Sequence, residues 1–213
     1  MLNRALRETW TKVMTPPARL FLAMGLSPDV VTVVGTIGVC VGALAFYPLG
    51  HFFWGTLVVV LFIFSDNVDG VMARMQGRQG VWGAFLDSTL DRVGDAAIFG
   101  GLVIAFARSG PMNNLLYAGL ALACLILGMV VSYAKARAEG LGLTANVGIA
   151  ERADRLLLVL TATGLVGLGL PVVVLGVVLA VLAVASLVTV VQRMLTVRRQ
   201  ALAAVAGHDP RAS

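Results

Sequence analysis

The chain has 213 residues, of which 59% are hydrophobic and 13% are charged, and its formal net charge is +5. A soluble domain carries about 25% charged residues and about 45–50% apolar ones, so the charges here are too few to cover a soluble surface of this size. The composition excludes an ordinary soluble globular domain and predicts a membrane protein. Cys40 and Cys124 both lie in apolar runs, which gives no support to a disulfide framework.

Residues 1–25 differ in kind from the rest of the chain. Apolar side chains recur there at near-helical spacing among basic residues that run from Arg4 to Arg19. Pro16-Pro17 is expected to break or bend a helix at that point. We interpret the segment as an amphipathic helix that lies in the cytoplasmic interface of the membrane. A disordered basic tail is the alternative.

Six stretches follow that approach the roughly 20 apolar residues needed to cross a bilayer. Ser27-Pro28 is typical of the start of a helix, with serine as the N-cap and proline at the first helical position. Tight turns are predicted at 48–50 and at 169–171. The predicted spans are 28–47, 51–74, 84–107, 113–136, 149–169 and 171–193.

The predicted fold is therefore an all-α membrane protein, with six transmembrane helices preceded by an N-terminal interfacial amphipathic helix. Its parts are a cytoplasmic interfacial segment over 1–25, a six-helix domain over 26–199 and a short cytoplasmic tail over 200–213. With six spans, all Lys and Arg except Arg92 and Arg108 fall on the face that carries both termini. The positive-inside rule makes that face cytoplasmic.

Four carboxylates stand at the cytoplasmic ends of the second and third spans: Asp66, Asp69, Asp87 and Asp91. A charged side chain inside a membrane costs about 2.5–3.5 kcal/mol even on the lenient insertion scale. The spacings of three and four residues place each pair on one helical face. Because both pairs border the loop predicted at 75–83, we expect all four carboxylates to converge just inside the cytoplasmic boundary.

A divalent cation would remove the repulsion among four such carboxylates, which otherwise drives them towards protonation. Hard oxygen ligands suit Mg²⁺, Mn²⁺ or Ca²⁺, and Mg²⁺ is commonly shared with substrate phosphates. Gly70 and Gly83 would allow a ligand to approach the backbone closely. Arg74 adds a guanidinium that can pair with phosphate. The pattern predicts a metal site that handles a phosphate ester.

These residues form one long motif, Asp66-x-x-Asp69-Gly70-x-x-Ala73-Arg74, eight residues, Gly83-x-x-x-Asp87-x-x-x-Asp91. The motif resembles the complete signature of the CDP-alcohol phosphotransferase family. The expected architecture of six spans with a cytoplasmic site resembles that family as well. By resemblance, Asp66, Asp69, Asp87 and Asp91 would bind metal, with two Mg²⁺ ions expected and Mn²⁺ as the substitute.

The same resemblance assigns further roles. Asp91 would act as the general base, and the donor would contact Gly70, Ala73 and Arg74 besides Asp66 and Asp69. Residues 27–32 are similar to a Pro-Asn-x-x-Thr element of the family, with Asp29 in place of the usual Asn and with Thr32 retained. Asp29 and Thr32 are therefore expected at the donor site. Asp95 lies outside the family pattern, and we expect it to be buried and paired with a polar neighbour, a catalytic role being the alternative. Arg92 is expected to be a structural ion-pair partner.

A second group of polar and basic residues stands near the cytoplasmic ends of the last three spans. Arg and Lys clusters bind phosphate through charge-assisted hydrogen bonds, so a phosphorylated acceptor is expected. The alternative is that these are only the cytoplasmic charges of the positive-inside rule. The residues are Ser132, Lys135, Arg137, Arg152, Arg155 and Arg193.

In this region the sequence is similar to the actinobacterial phosphatidylinositol phosphate synthases of the family, through Ser132-x-x-Lys135-x-Arg137 and Glu151-Arg152-x-x-Arg155. The resemblance implies CDP-diacylglycerol as donor, inositol phosphate as acceptor and a homodimer. Glycerol 3-phosphate is the alternative acceptor, since phosphatidylglycerol phosphate synthases also hold a phosphorylated alcohol. The expected location is the plasma membrane, with no nucleic acid as partner.

A transporter or ion pathway is the alternative from another class, because intramembrane carboxylates also mark such pathways. The acidic residues here cluster near one face of the membrane and do not form a relay through it. Release of CMP from a CDP-lipid would distinguish the enzyme from the transporter.

Overall fold

A computed structural model of the chain describes residues 14–77, 80–108, 110 and 113–206, without the side chains of Asp66, Asn67, Val205 and Ala206. The described residues are mostly helical. The chain divides into two compact units, Met1–Leu102 and Val103–Ser213.

In the described part of the first unit, three α-helices precede most of a fourth. A helix described over residues 14–23 (α1) precedes α2, Pro28–Phe46. A 3₁₀ turn at Tyr47–Leu49 leads to α3, Phe52–Met75. The fourth helix, α4, spans Val81–Ala107, and the boundary between the two units falls within it.

The predicted start of α2 and the turn after it are confirmed. The Val30 amide donates to Ser27 Oγ at 3.3 Å, and Pro28 occupies the first helical position. At the other end, Gly50 has a φ of 79°, and the His51 amide donates to the Phe46 carbonyl at 3.1 Å. This left-handed residue reverses the chain, so that α3 returns antiparallel to α2.

Glycines let the helices of the first unit approach each other closely. A Cβ at Gly42 would lie 2.9 Å from Val58 Cγ1, and one at Gly101 would lie 2.8 Å from the Ala43 carbonyl oxygen. Small residues at such positions permit dense packing between membrane helices. The face of α2 towards α3 therefore has no room for a side chain at Gly42, and the face of α4 towards α2 has none at Gly101.

Helix α1 packs against α2 and α3 beside the aspartate motif. Ala18 is fully buried in a cluster with Val31 of α2 and with Val68 and Met72 of α3. The helix continues through Pro16-Pro17, which therefore do not end it. Of the predicted amphipathic segment, residues 1–13 lie outside the described residues, so its full extent stays a prediction.

The second unit contains the end of α4 and three further helices. These are α5, Leu115–Glu139; α6, Arg152–Gly167; and α7, Val172–Ala206. Helix α7 packs against both α5 and α6. The predicted turn at 169–171 is confirmed, with Gly169 at a φ of 112° and the Leu170 amide donating to the Leu165 carbonyl at 3.1 Å.

Helix α7 is longer than the sequence suggested. It runs past residue 193 and enters the segment predicted as a tail at 200–213. Residues 194–206 contain no Gly or Pro and are rich in Ala, Leu and Arg, which are strong helix formers. The helix therefore has no local reason to end at the edge of the apolar run.

Among the residues that the structure describes, four helical stretches are long and apolar enough to cross a membrane: Pro28–Leu49, Phe52–Met75, Leu115–Glu139 and Val172–Ala204. Helix α4 carries Asp87, Asp91, Arg92 and Asp95, and α6 has only 16 residues. Both features fall short of the usual apolar length of a span. The structure thus supports a helical membrane protein, and the six-span topology stays a prediction.

Candidate active site

The carboxylates of the motif lie on α3 and α4, as predicted. Asp69 is partly buried and interacts electrostatically with Asp87 across the two helices and with Arg74 on its own helix. Asp87 is exposed and Asp91 is half-buried one turn further along α4. The backbone of Asp66 lies in α3, but its side chain is outside the described part of the structure.

Helix α2 contributes a hydroxyl to this group. Thr32 Oγ1 donates to Asp69 Oδ2, and Thr32 is buried. One turn earlier on α2, Asp29 Oδ2 accepts a hydrogen bond of 3.0 Å from Trp82 Nε1 on α4. A single turn of α2 is therefore bonded to both helices that carry the carboxylates.

Trp82 is a site residue that sequence reasoning missed. It lies in the first turn of α4, which begins at Val81 and so includes Gly83 in the helix; the predicted loop over 75–83 is shorter than expected. An indole N–H directly before the motif glycine was a visible signal, since a tryptophan at a membrane boundary often donates a hydrogen bond there.

Small residues and an arginine follow Asp69 on α3, where the donor is predicted to bind. A Cβ at Gly70 would lie 3.6 Å from Arg74 Nη1, so the guanidinium extends over the glycine on α3. Ala73 is half-buried beside it. A small residue under a guanidinium leaves room for an anionic group to approach both the arginine and the helix backbone.

The donor set fits a hard divalent cation. Carboxylate oxygens from α3 and α4 lie close enough for like charges to interact, which a cation would relieve. Among the side chains that the structure describes, no group of three or more His, Cys, Asp or Glu closes into a metal cage by itself. The metal-binding role of Asp66, one turn before Asp69, stays a prediction because its side chain lies outside the described part of the structure.

Behind Asp91, an arginine bridges two carboxylates. Arg92 Nη2 lies 3.7 Å from Asp91 Oδ2, and Arg92 Nη1 lies 3.7 Å from Asp95 Oδ2. Asp95 is 4% exposed. The predictions that Asp95 is buried and paired, with Arg92 as a structural partner, are both confirmed. The bridge holds a second acidic residue next to the candidate base without leaving its charge unpaired.

In the second unit, three predicted acceptor residues converge on one turn of α5. A Cβ at Gly128 would lie 3.1 Å from Arg155 Nη2, and Arg155 is only 1% exposed. Arg193 Nη1 donates to the Val131 carbonyl at 2.5 Å. Ser132 Oγ donates to the Gly128 carbonyl at 3.1 Å. Arg155 of α6 and Arg193 of α7 therefore both reach the turn of α5 at residues 128–132, which carries Ser132.

The remaining predicted acceptor residues are placed less closely. Lys135 lies on the same face of α5 as Ser132, with Nζ 3.9 Å from Glu139 Oε1. Arg137 is exposed and, at about 100° per residue, points roughly opposite to the face formed by Gly128, Val131 and Ser132. Arg152 is half-buried in the first turn of α6. The geometry brings Arg137 to none of the others.

Comparison with known proteins identifies what the chain is similar to. Residues 25–149 match the family model described as CDP-alcohol phosphatidyltransferase. The chain is 56% identical over 169 residues to a phosphatidylinositol phosphate synthase of Streptomyces avermitilis, which covers 79% of this chain and 68% of that protein. It is 53% identical over 162 residues to the synthase of Cutibacterium acnes, covering 76% and 77%.

The chain is also similar in fold and in sequence to solved structures. The crystal structure of Mycobacterium tuberculosis phosphatidylinositol phosphate synthase with CDP-DAG bound superposes with a TM-score of 0.82 at 42% identity, covering 87% of this chain and 94% of that one. The same protein in complex with manganese and citrate also gives a TM-score of 0.82, at 43% identity, covering 86% and 88%.

Proposed function

Because the chain belongs to the CDP-alcohol phosphatidyltransferase family, we propose that it transfers the phosphatidyl group of CDP-diacylglycerol to a hydroxyl of inositol phosphate. The products are phosphatidylinositol phosphate and CMP. The relatives that match most of the chain carry the name of this activity.

One observation of the structure carries the choice of a phosphorylated acceptor. Arg155 and Arg193 are both buried and both reach the turn of α5 that carries Ser132. Guanidinium groups from two helices concentrate positive charge at this turn, and such groups bind phosphate through charge-assisted hydrogen bonds. Charges that only marked the cytoplasmic face would lie in water, as Arg137 does.

The donor would bind to α2 and α3. Thr32, Gly70, Ala73 and Arg74 surround the partly buried Asp69, and Arg74 would pair with the donor's diphosphate. Asp29, held by Trp82, would contact the nucleotide at the end of α2. Asp66 and Asp69 complete the proposed donor site.

Asp66, Asp69, Asp87 and Asp91 would hold the divalent cations, and we propose two Mg²⁺ ions, with Mn²⁺ as a substitute. Bound cations supply charge neutralisation on the diphosphate. Asp91 accepts the proton of the acceptor hydroxyl. The acceptor oxygen forms a bond to the β-phosphorus of the donor, the bond from that phosphorus to the CMP oxygen breaks, and CMP leaves with the electron pair.

The wider setting of the enzyme is also a proposal. We place the enzyme in the plasma membrane. Most Lys and Arg fall on the predicted face that carries the motif and both termini, which supports a cytoplasmic site and cytoplasmic termini. Helices α4 and α6 would complete six spans, with residues 1–25 as an interfacial segment. A homodimer is proposed from the family resemblance.

The direct test is release of CMP from CDP-diacylglycerol by the purified protein in detergent, with inositol phosphate, inositol or glycerol 3-phosphate as acceptor. We expect turnover with inositol phosphate and little with unphosphorylated inositol. Equal use of inositol and inositol phosphate would remove the phosphate pocket. A preference for glycerol 3-phosphate would keep the pocket and change the product to phosphatidylglycerol phosphate. Absence of CMP release with all three would reject the transferase.

A further inference from the structure

The segment that joins α5 to α6 is bonded along one face of α7. We call residues 144–150 the connecting segment. At its start, the Thr144 amide donates to Gln200 Oε1 at 3.0 Å, and Gln200 Nε2 donates to the Thr144 carbonyl at 2.6 Å. In its middle, Arg193 Nε donates to the Val147 carbonyl at 2.9 Å.

The end of the connecting segment is bonded to a threonine. Thr189 Oγ1 accepts from the Ile149 amide at 3.2 Å and from the Ala150 amide at 3.1 Å. The same hydroxyl donates to the Ala185 carbonyl at 2.9 Å, one turn back on α7. Since a hydroxyl has one proton and two lone pairs, these three bonds use its full capacity.

The three anchoring residues share one face of α7. Thr189, Arg193 and Gln200 are separated by 4 and 7 residues, and at about 100° per residue this spacing keeps them in one stripe. The connecting segment contacts this face of α7 tightly, because a Cβ at Gly148 would overlap Thr189 Cγ2. Gly148 also has a φ of 148°, which favours glycine at this position. The connecting segment therefore has one position on α7.

The position of the segment determines where α6 begins. Glu151, the N-cap of α6, follows Ala150 directly, and the Glu151 amide donates to Asp154 Oδ2 at 3.3 Å. Arg155 is the next residue of this first turn, and it extends over Gly128 of α5. Any shift of Ile149 and Ala150 along α7 would carry Arg155 with it.

We propose that Thr189 is a positioning residue of the acceptor-phosphate site, and that Gln200 supports it from the other end of the connecting segment. The inference rests on the proposed function, because it assigns Arg155 to the acceptor. Thr189 contributes no charge and acts through the start of α6. Its loss should therefore weaken the acceptor's interaction and leave the donor's unchanged.

The test compares Thr189→Val with Thr189→Ser and Ser186→Ala. Valine keeps the shape of threonine but removes the bonds to both amides, whereas serine keeps them. Ser186 lies one turn earlier on α7, is 0% exposed, and its hydroxyl has no hydrogen-bond partner among the described residues. Ser186→Ala thus removes a buried hydroxyl of the same helix without touching the connecting segment.

We expect Thr189→Val to raise the KM for inositol phosphate about tenfold, while the KM for CDP-diacylglycerol changes less than twofold. Thr189→Ser should restore the acceptor KM, and Ser186→Ala should match the wild type. Hydrogen exchange at Ile149 and Ala150 should accelerate in Thr189→Val alone. A normal acceptor KM, or equal rises in both KM values, would overturn the proposal, as would unchanged exchange at these two amides.

A second variant tests the same segment in case Thr189→Val fails to fold. Gln200→Leu removes the three hydrogen bonds between Gln200 and Thr144 from a partly exposed position, and it should raise the acceptor KM in the same direction by a smaller factor. If the wild type uses glycerol 3-phosphate and rejects inositol phosphate, the proposed acceptor is wrong. The same variants then decide the role of Thr189 with the acceptor that the wild type uses. The exchange measurement requires no substrate.

Discussion

Thr32 on α2 donates a hydrogen bond to Asp69 Oδ2 on α3, across 37 residues of sequence. This bond orients the carboxylate of Asp69 from a neighbouring helix. Groups that orient a metal-binding carboxylate in this way commonly affect metal affinity or activity by 10–100-fold. The hydroxyl of Thr32 is therefore expected to be part of the catalytic apparatus.

Replacing Thr32 by valine should lower the apparent affinity for Mg²⁺ about tenfold or more, since Asp69 would lose its orienting partner. Titration of activity with Mg²⁺ measures the effect. Thr36→Val is the matched control, because Thr36 Oγ1 donates only to the Thr32 carbonyl of its own helix. Equal metal requirements in Thr32→Val and Thr36→Val would contradict a role for the cross-helix bond.

Removal of divalent cations with EDTA should abolish CMP release, and Mg²⁺ or Mn²⁺ should restore it, because the carboxylates of α3 and α4 repel one another without a cation. Asp69→Asn should lose most of the turnover while the protein remains monodisperse in detergent. Full activity in excess EDTA, with metal content verified by elemental analysis, would eliminate the metal site.

Asp91→Asn should reduce kcat by about 10²–10⁴-fold if Asp91 accepts the acceptor proton. Binding of CDP-diacylglycerol, measured separately with the inactive variant, should change little. A loss of donor affinity as large as the loss of turnover would make Asp91 chiefly a metal ligand.

Gly128→Ala should act on the acceptor through Arg155, because the new Cβ would lie 3.1 Å from Arg155 Nη2 and would displace the guanidinium. We expect a selective rise in the acceptor KM. Arg155→Gln should raise that KM further, by about 10–150-fold, as expected for the loss of a charge-assisted hydrogen bond. Gly119→Ala on the same helix is the control, since nothing lies within 4 Å of its Cβ position. An unchanged acceptor KM in Arg155→Gln would assign the residue to the packing of the second unit alone.

Trp82→Phe should raise the KM for CDP-diacylglycerol a few-fold, because the ring is kept and only the 3.0 Å bond to Asp29 is lost. Trp54→Phe provides the comparison, as both indoles are 59% exposed. If both variants behave alike, the effect belongs to the membrane interface and not to Asp29.

The regular spacing of the motif made the placement of its aspartates on α3 and α4 predictable. Residues three and four apart on a helix share a face, so Asp87, Asp91 and Asp95 could be aligned without coordinates. The same rule, applied to α5, would also have separated Arg137 from Ser132 and Lys135. Helix periodicity therefore carries more information about this site than the identities of the basic residues do.

Contacts between distant segments could not be predicted in the same way. The bond from Trp82 to Asp29 depends on how α2 and α4 pack, and the sequence constrains neither the depth nor the rotation of those helices. Thr189 was visible in the sequence as a polar residue within the apolar run of α7, whereas Gln200 follows Arg198-Arg199 in the predicted tail. Their partners are mainly backbone groups, however, and backbone groups have no signature in the sequence.

The two backbone hydrogen bonds of Arg193 limit how the preference for an acceptor could change. Its Nε and Nη1 donate to the carbonyls of Val147 and Val131, so the residue joins the connecting segment to α5 in addition to the acceptor contact proposed for it. A substitution at this position alters the scaffold and the ligand contact together, and lysine, with a single nitrogen, cannot reproduce the fork. Divergence towards a new alcohol is therefore expected to proceed through α6, at Arg152 and its neighbours, while Arg193 remains invariant. Directed evolution of acceptor specificity should begin at those positions of α6.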